Sequence, residues 1–336
     1  GERSVAAVGL CAQFSSLMFA GYWGFVGGGM LFFSQYWGAN DRGGIHHTYG
    51  VAASFSLVFS LLFAAVLRFF PHFCVGLFGP DPAVTEQAVE YVEILAFGIP
   101  FLMFSQVTCA ALRAVEKVNV PLISSFVSVA VNTFFNFCLI GGHFGFPALG
   151  IRGAAIATAL GAVVQAIIVL LFFLFSENPV RCSPGEMFRL PKGFLLKFFK
   201  TAAPVLLNEG MWALGTNIYV MVLARQATED YAGYTIYETA QQLVFVFFVG
   251  ICNASAILVG KAVGRGDEET ARRLGKIFLI ATPCSAVLIG LLFVALRNPL
   301  LSLFVIETEG ARQTASNLLL LYGLWLGAHM IPYTSI

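Results

Sequence analysis

Long apolar stretches separated by short polar segments run through the whole chain. Each holds about 20 residues or more, the length that an α-helix needs to cross a hydrocarbon core of about 30 Å. The alternation of polar and apolar residues expected of a transmembrane barrel is absent, so we interpret the stretches as helices. The pattern predicts nine membrane-spanning helices, at residues 5–37, 48–70, 88–111, 120–141, 153–175, 200–223, 232–262, 274–296 and 314–336.

The chain also matches itself after a shift of 226 residues. Gly24 aligns with Gly250 and Asp41 with Asp267, and the alignment needs no gap along most of the first three predicted helices. Those three helices therefore correspond to the seventh, eighth and ninth. A repeated block of membrane helices is typical of secondary transporters. We expect a unit of six helices present twice, with one helix of the first copy and two of the second outside this sequence.

The repeat predicts how the helices are grouped. An even number of membrane crossings separates equivalent helices, so we expect two lobes of the same orientation, related by a pseudo-two-fold axis along the membrane normal. The predicted fold is an all-α polytopic membrane protein with two six-helix lobes, of which nine helices are visible. The longest polar connection lies between the two copies. We assign residues 1–176 to the N-terminal lobe, 177–199 to a cytoplasmic inter-lobe linker and 200–336 to the C-terminal lobe.

Composition and charge agree with a membrane protein and add an orientation. The chain is 58% hydrophobic and 11% charged, whereas soluble domains contain about 25% charged residues. If the loop after the first predicted helix is cytoplasmic, 13 of the 19 Lys and Arg residues lie on the cytoplasmic side, as the positive-inside rule requires. We expect a multi-pass protein of the inner cell membrane. Its partner would be the lipid bilayer, and we expect no binding of nucleic acid.

Three stretches of the sequence carry a family resemblance: Ser34 to Asp41, the block from Pro121 to Thr158, and the block from Pro204 to Lys261. They resemble the multidrug and toxic compound extrusion (MATE) transporters, in particular the bacterial DinF/NorM-like ones, from the second to the tenth helix of that family. The resemblance implies a two-lobed exporter that acts as a monomer. It would exchange cationic or amphipathic small molecules, including drugs, for Na⁺ or H⁺ by alternating access.

Glu209 is the first candidate for an ion or substrate site. It lies about 14 Å into its predicted helix, near the membrane midplane. An ionisable group at that depth is costly and usually faces a cavity or a partner. We expect Glu209, with its neighbours Asn208 and Trp212, to bind a proton, Na⁺ or a cationic substrate. The alternative is a protonated Glu209 that hydrogen-bonds to a neighbouring helix.

Asn132 and Asn136 form a second candidate site in the N-terminal lobe. Their i, i+4 spacing places both on one face of a helix. The resemblance implies a cation site here, although many family members have an Asp at the position of Asn136. Since an amide cannot take up a proton, we expect a neutral oxygen ligand for Na⁺ or a hydrogen bond to substrate. Hydrogen bonding between helices alone is the other interpretation.

Glu238 marks a third candidate site, about 9 Å in from the predicted outer face. Tyr237 precedes it and Gln241 follows one turn later, so a carboxylate, an aromatic face and an amide lie close together along the helix. An aromatic face attracts a lipophilic cation. The alternatives are a solvated Glu238 at the membrane interface and an aromatic side chain that faces lipid.

The sequence contains no motif for ATP hydrolysis or for covalent chemistry. A phosphate-binding loop, an HExxH pair and a nucleophile elbow are all absent, so we expect neither an enzyme nor a cofactor, and no metal apart from Na⁺ at Glu209. An ion gradient would then drive transport. Two other interpretations stay open. A lipid-linked oligosaccharide or lipid flippase would need basic residues at mid-depth, and a membrane-embedded enzyme would need catalytic residues clustered at one depth.

Overall fold

The structure is a computed structural model that describes residues 2–76, 82–224, 228–302, 304 and 308–334. These residues form twelve α-helices and one short 3-10 turn at His143–Gly145. The helices are α1 (Glu2–Gly38), α2 (Arg42–Phe69), α3 (Pro71–Gly76), α4 (Pro82–Ala114), α5 (Asn119–Gly141), α6 (Ile151–Phe175), α7 (Pro184–Phe188), α8 (Phe194–Ala224), α9 (Thr228–Gly264), α10 (Glu268–Ala295), α11 (Arg297–Leu301) and α12 (Glu309–Thr334).

Each predicted membrane span coincides with one of the long helices, and the spans 48–70 and 274–296 end one residue beyond theirs. Residues 335–336 of the last predicted span lie outside the described residues. Among the described residues, seven helices are long and apolar enough to cross a membrane, namely α2, α4, α5, α6, α9, α10 and α12. The other two predicted spans coincide with α1, of 37 residues, and α8, of 31 residues. The prediction of an all-α polytopic membrane protein is therefore confirmed.

The first compact unit comprises Gly1–Ala213, from α1 to the first two-thirds of α8. Helix α4 is central, because α1, α2, α5 and α6 all pack on it. Its buried contacts are mainly apolar, and the hydroxyl groups of Tyr49 and Thr108 meet inside this core at 2.9 Å. The predicted division at residues 176 and 200 follows the six-helix repeat rather than these contacts and remains a prediction.

Helix α8 packs on α1 through two glycines of α1. A Cβ atom at Gly28 would lie 2.8 Å from the Cα atom of Ala202, and one at Gly24 would lie 2.7 Å from the Cα atom of Leu206. Backbones approach this closely only where one helix lacks side chains, as is typical of membrane helices. The two glycines therefore fix the line along which α8 contacts α1.

The predicted linker contains α7, which is held at the end of α2. Ser183 and Glu186 form a capping box at the start of α7, and these hydrogen bonds to the Ser183 backbone and side chain hold the pKa of Glu186 below its usual value. The backbone of Met187 lies against Gly50, where a Cβ atom would be only 2.6 Å from the Met187 carbonyl oxygen. The linker is thus packed against α2 rather than extended away from the helices.

The second compact unit comprises Leu214–Ile336, in which α9, α10 and α12 pack on one another. Helices α10 and α12 meet at Gly290 and Gly323, and a Cβ atom on either glycine would collide with the backbone of the other. Val244, Phe248 and Leu326 are buried in the core beside this contact. Close glycine contacts therefore organise both units.

Helix boundaries confirm the internal repeat. A shift of 226 residues places the bounds of α1 on those of α9 and the bounds of α2 on those of α10. The turns between these helices match as well. Asp41 accepts a hydrogen bond from the Gly44 amide at 3.0 Å, and Asp267 accepts one from the Thr270 amide at 2.9 Å. The two copies share their caps as well as their lengths.

Candidate functional site

A cavity of about 350 Å³ lies inside the first unit, among α1, α2, α4, α5 and α6. Most of its wall is apolar, as is usual for sites that bind small organic molecules. Four of the lining residues carry side-chain polar groups: Ser15, Ser128, Asn132 and Thr158. The cavity has room for a small ion with its waters or for part of an organic ligand.

A directional chain of hydrogen bonds runs beside this cavity and includes both predicted asparagines. The Asn136 amide nitrogen donates to the Asn132 amide oxygen at 3.0 Å, and the Asn132 amide nitrogen donates to the Thr158 hydroxyl at 3.3 Å. Thr158 in turn donates to the Ala154 carbonyl oxygen at 2.9 Å. The structure therefore brings Asn132 and Asn136 together and joins α5 to α6 through them.

The chain ends at a buried oxygen. Asn136 Oδ1 is fully shielded from solvent and has no hydrogen-bond donor among the described residues. Leaving a buried acceptor without a partner costs about 1–3 kcal/mol. A cation or a ligand donor beside Asn136 would remove that cost, since amide oxygens are suitable ligands for hard cations. No carboxylate is among the described residues that line the cavity, so this group is neutral.

Sequence reasoning missed Ser128 and Thr158 as members of this group. Ser128 lies four residues before Asn132 on α5, and its hydroxyl donates to the Gly161 carbonyl oxygen of α6 at 2.8 Å. Ser128, Asn132 and Asn136 are spaced by four, which places three polar side chains on one face of an apolar helix. That spacing could have identified Ser128 from the sequence. The contribution of Thr158, on another helix, depends on the packing of α5 against α6.

Glu209 lies on α8 outside this cavity. It follows Ala202 and Leu206 at helical spacing, on the side of α8 that packs on α1, and it is half-buried. In the described part of the chain Glu209 has no hydrogen bond or ion pair. Asn208 and Trp212 are exposed on α8. The structure therefore does not place Glu209 with the pair formed by Asn132 and Asn136.

The second unit contains a row of aromatic side chains around Tyr237. The ring centroids of Tyr219 and Tyr234 are 5.6 Å apart, those of Tyr234 and Tyr237 are 5.9 Å apart, and those of Tyr237 and Tyr322 are 5.6 Å apart. His329 continues the row at 6.4 Å from Tyr322. We call these five residues the tyrosine row. It presents several ring faces and edges, which a lipophilic cation can contact.

Glu238 adjoins the tyrosine row. It directly follows Tyr237 in α9, and both side chains are partly buried. Gln241 lies one turn further along α9 and is also partly buried. Sequence reasoning missed Tyr322 and His329, although a histidine inside a predicted membrane helix is itself a signal. Their place in the row depends on the contact between α9 and α12.

Comparison with known proteins relates this architecture to a family. The MatE family model matches residues 1–138 and, separately, residues 204–333. A probable multidrug resistance protein NorM from Thermotoga maritima is 26% identical over 233 residues, which is 67% of this chain and 48% of the relative. The chain thus spans about half the length of that relative.

Solved structures show the same fold at low sequence identity. A crystal structure of MATE in complex with MaD3S has a TM-score of 0.86 and 18% identity, over 100% of this chain and 74% of that one. A transporter of the MOP superfamily from Pyrococcus furiosus has a TM-score of 0.84 and 18% identity, over 99% of this chain and 77% of that one. The predicted fold class is that of these proteins.

Proposed function

The chain belongs to the MatE family, and from this premise we propose that the protein is a secondary active antiporter. It would export organic cations or drugs in exchange for Na⁺ or H⁺, as a monomer in the inner cell membrane. The observation that carries the proposal is the match of one family model to both halves of the chain. The name of the Thermotoga maritima relative, a probable multidrug resistance protein, supports the choice of substrate class.

The first unit would bind the coupling ion through neutral oxygen atoms. Asn136 Oδ1 is buried without a donor among the described residues, and Asn132 and Thr158 hold it in place. An amide cannot take up a proton near neutral pH, so this group favours Na⁺ over H⁺. Coupling to protons would have to use Glu209 or Glu238, the two carboxylates of the predicted sites.

The second unit would bind the organic cation. The tyrosine row would supply aromatic surface, and Glu238, which directly follows Tyr237 in α9, would supply a negative charge. Aromatic rings attract a desolvated cation by about 2 kcal/mol, and a carboxylate of low exposure adds attraction for positive charge. Ion binding would then bias the equilibrium between inward-open and outward-open states, which requires unequal affinity for the two states.

Dye efflux from proteoliposomes, driven by an ion gradient, tests the proposal. The full-length protein is reconstituted, Na⁺ and pH gradients are imposed separately, and efflux of a fluorescent cationic dye is recorded. We expect efflux with one gradient and none without a gradient. Efflux that is independent of both gradients would contradict the antiport mechanism.

Glu209→Gln in the same assay tests the role of Glu209. This variant removes the charge at nearly constant volume, and we expect coupled efflux to fall about tenfold or more. Glu269→Gln, at an exposed position in the first turn of α10, is the matched control and should transport normally. If Glu209→Gln transports dye at the wild-type rate, Glu209 has no part in coupling.

A further inference from the structure

A second, larger cavity lies at one end of the first unit. Its volume is about 780 Å³, and it is formed where the α1–α2 turn, the α4–α5 turn and the segment after α6 come together. By the distribution of Lys and Arg, this end is predicted to be cytoplasmic. The residues that line it are Trp37, Arg42, Val115, Glu116, Lys117, Glu177, Asn178, Pro179 and Arg181.

Three cations line this cavity and remain available to a ligand. Arg42 begins α2, Lys117 lies in the α4–α5 turn and Arg181 lies in the segment after α6, and all three are exposed. Within the described ranges none of their three side chains forms a hydrogen bond or an ion pair. One of the two carboxylates in the wall, Glu116, already accepts a hydrogen bond from the Trp37 indole at 3.2 Å. With Glu116 and Glu177 counted against the three cations, the lining carries a net charge of +1.

Hydrogen bonds between the connections hold the walls of the cavity in place. The bond between Trp37 and Glu116 joins the end of α1 to the α4–α5 turn. The His46 ring nitrogen lies 3.2 Å from the Pro179 carbonyl oxygen and ties the segment after α6 to α2. Asn178 braces the same segment, because its amide donates to the Ser176 carbonyl oxygen at 3.1 Å. The segments that carry the three cations are therefore held in place before a ligand binds, which reduces the cost of ordering them.

We propose that this cavity binds the phosphate group of a phospholipid headgroup. Guanidinium and ammonium groups are the usual ligands of phosphate. The cavity begins where α1, α4 and α6 end, at Gly38, Ala114 and Phe175, which is the depth of lipid headgroups if these helices span the membrane. Trp37 lies at the same level, where indole rings are favoured. A basic pocket between the ends of membrane helices fits an anionic lipid better than a soluble phosphate.

Native mass spectrometry of the delipidated full-length protein tests the site. The protein is titrated with dioctanoyl phosphatidylglycerol, with glycerol phosphate and with inorganic phosphate, and adducts are counted at each concentration. We expect the lipid to bind and the triple variant R42Q/K117Q/R181Q to bind it at least about tenfold more weakly. If glycerol phosphate and inorganic phosphate bind as tightly as the lipid and are lost in the same variant, the phosphate site holds and its ligand is soluble.

Matched variants separate this site from a general effect of charge. R189Q/K192Q/K200Q removes the same charge from exposed positions that do not line the cavity, and we expect it to bind phosphatidylglycerol like the wild type. The conservative variant R42K/R181K keeps the charges and should retain most of the binding, which also shows that the positions tolerate substitution. Equal lipid binding by the wild type and R42Q/K117Q/R181Q, with both proteins folded by circular dichroism, would overturn the proposal.

Discussion

The two copies of the repeat, α1–α4 and α9–α12, agree in their helix boundaries and differ in the side chains that they bury. The bounds of α1 and α2 become those of α9 and α10 after a shift of 226 residues, and Asp41 and Asp267 cap equivalent helices. Helix length is set by local signals at the ends, so it is preserved when the interior changes.

The polar residues of the second copy have mainly apolar counterparts in the first. Tyr237, Glu238 and Gln241 correspond to Cys11, Ala12 and Ser15, while Tyr322 and His329 correspond to Ala96 and Met103. The first unit instead places its polar group on α5 and α6, outside the part of the repeat that this chain contains twice. One scaffold thus carries two chemically different candidate sites.

Gly24 and Gly250 are equivalent positions with different surroundings. A Cβ atom at Gly24 would meet the backbone of Leu206, whereas at Gly250 the described residues leave open space within 4 Å. Gly24→Ala should destabilise the protein by about 2 kcal/mol through overpacking. Gly250→Ala should be neutral or slightly stabilising, since Ala favours a helix by up to about 1 kcal/mol over Gly. Thermal unfolding in detergent measures both, and equal effects would contradict the asymmetry of the copies.

Tyr237 and Cys11 test the chemical difference directly. Tyr237→Leu removes the central ring of the tyrosine row and should weaken binding of a fluorescent lipophilic cation by about tenfold, since cation–π contacts contribute about 0.5–2 kcal/mol. Tyr237→Phe keeps the ring and should bind nearly as well as the wild type. Cys11→Ala, at the equivalent position, should leave affinity unchanged. A loss in Cys11→Ala as large as in Tyr237→Leu would show that the row is not the binding surface.

Thr158→Val tests the polar group of the first unit. Valine has the shape of threonine but cannot accept the hydrogen bond from Asn132, so the variant should be less stable by about 1 kcal/mol. Because Thr158 helps to position Asn132 and Asn136, stabilisation by added Na⁺ should also decrease. The measurement is the unfolding temperature in NaCl against choline chloride. A variant that Na⁺ stabilises as strongly as the wild type would separate Thr158 from ion binding.

The caps of the two copies should respond alike to mutation, and the Asp267 cap should also respond to acid. Hydrogen bonds from the Thr270 side chain and then from its backbone amide hold the pKa of Asp267 below its usual value. A lowered pKa means that the cap contributes stability above the ordinary pKa and loses it as pH falls through the folded-state pKa. Asp267→Ala should therefore have a slightly lower unfolding temperature than the wild type at neutral pH. In acid the two unfolding temperatures should be equal.

Asp267→Asn separates capping from charge. Asparagine caps a helix about as well as aspartate but does not titrate, so this variant should match the wild type at neutral pH. Asp41→Ala should repeat the neutral-pH effect at the equivalent cap. Unfolding temperatures between about pH 7 and about pH 3 provide the comparison. If Asp267→Ala still differs from the wild type in acid, protonation of Asp267 does not remove the contribution of the cap.

Several features of the fold could be predicted from the sequence because they depend on local signals. The nine spans follow from apolar runs of membrane length, and the repeat from matching residues such as Asp41 and Asp267. The short helices α3 and α11 were not predicted, since six and five residues carry too little periodicity. The packing of Met187 on Gly50 was also missed, because a glycine in the sequence does not indicate which segment packs on it.

The sequence alone determined the fold class, the spans and the spacing of Asn132 and Asn136 on one helix face, since apolar length and helical period are local properties. It also indicated that the first-unit group would be neutral. Only the tertiary structure decided that Thr158 joins that group, that Tyr322 and His329 extend the aromatic surface around Tyr237, and that three separate connections enclose a basic cavity. These assemblies depend on which helices pack together, and a linear pattern does not contain distances between helices.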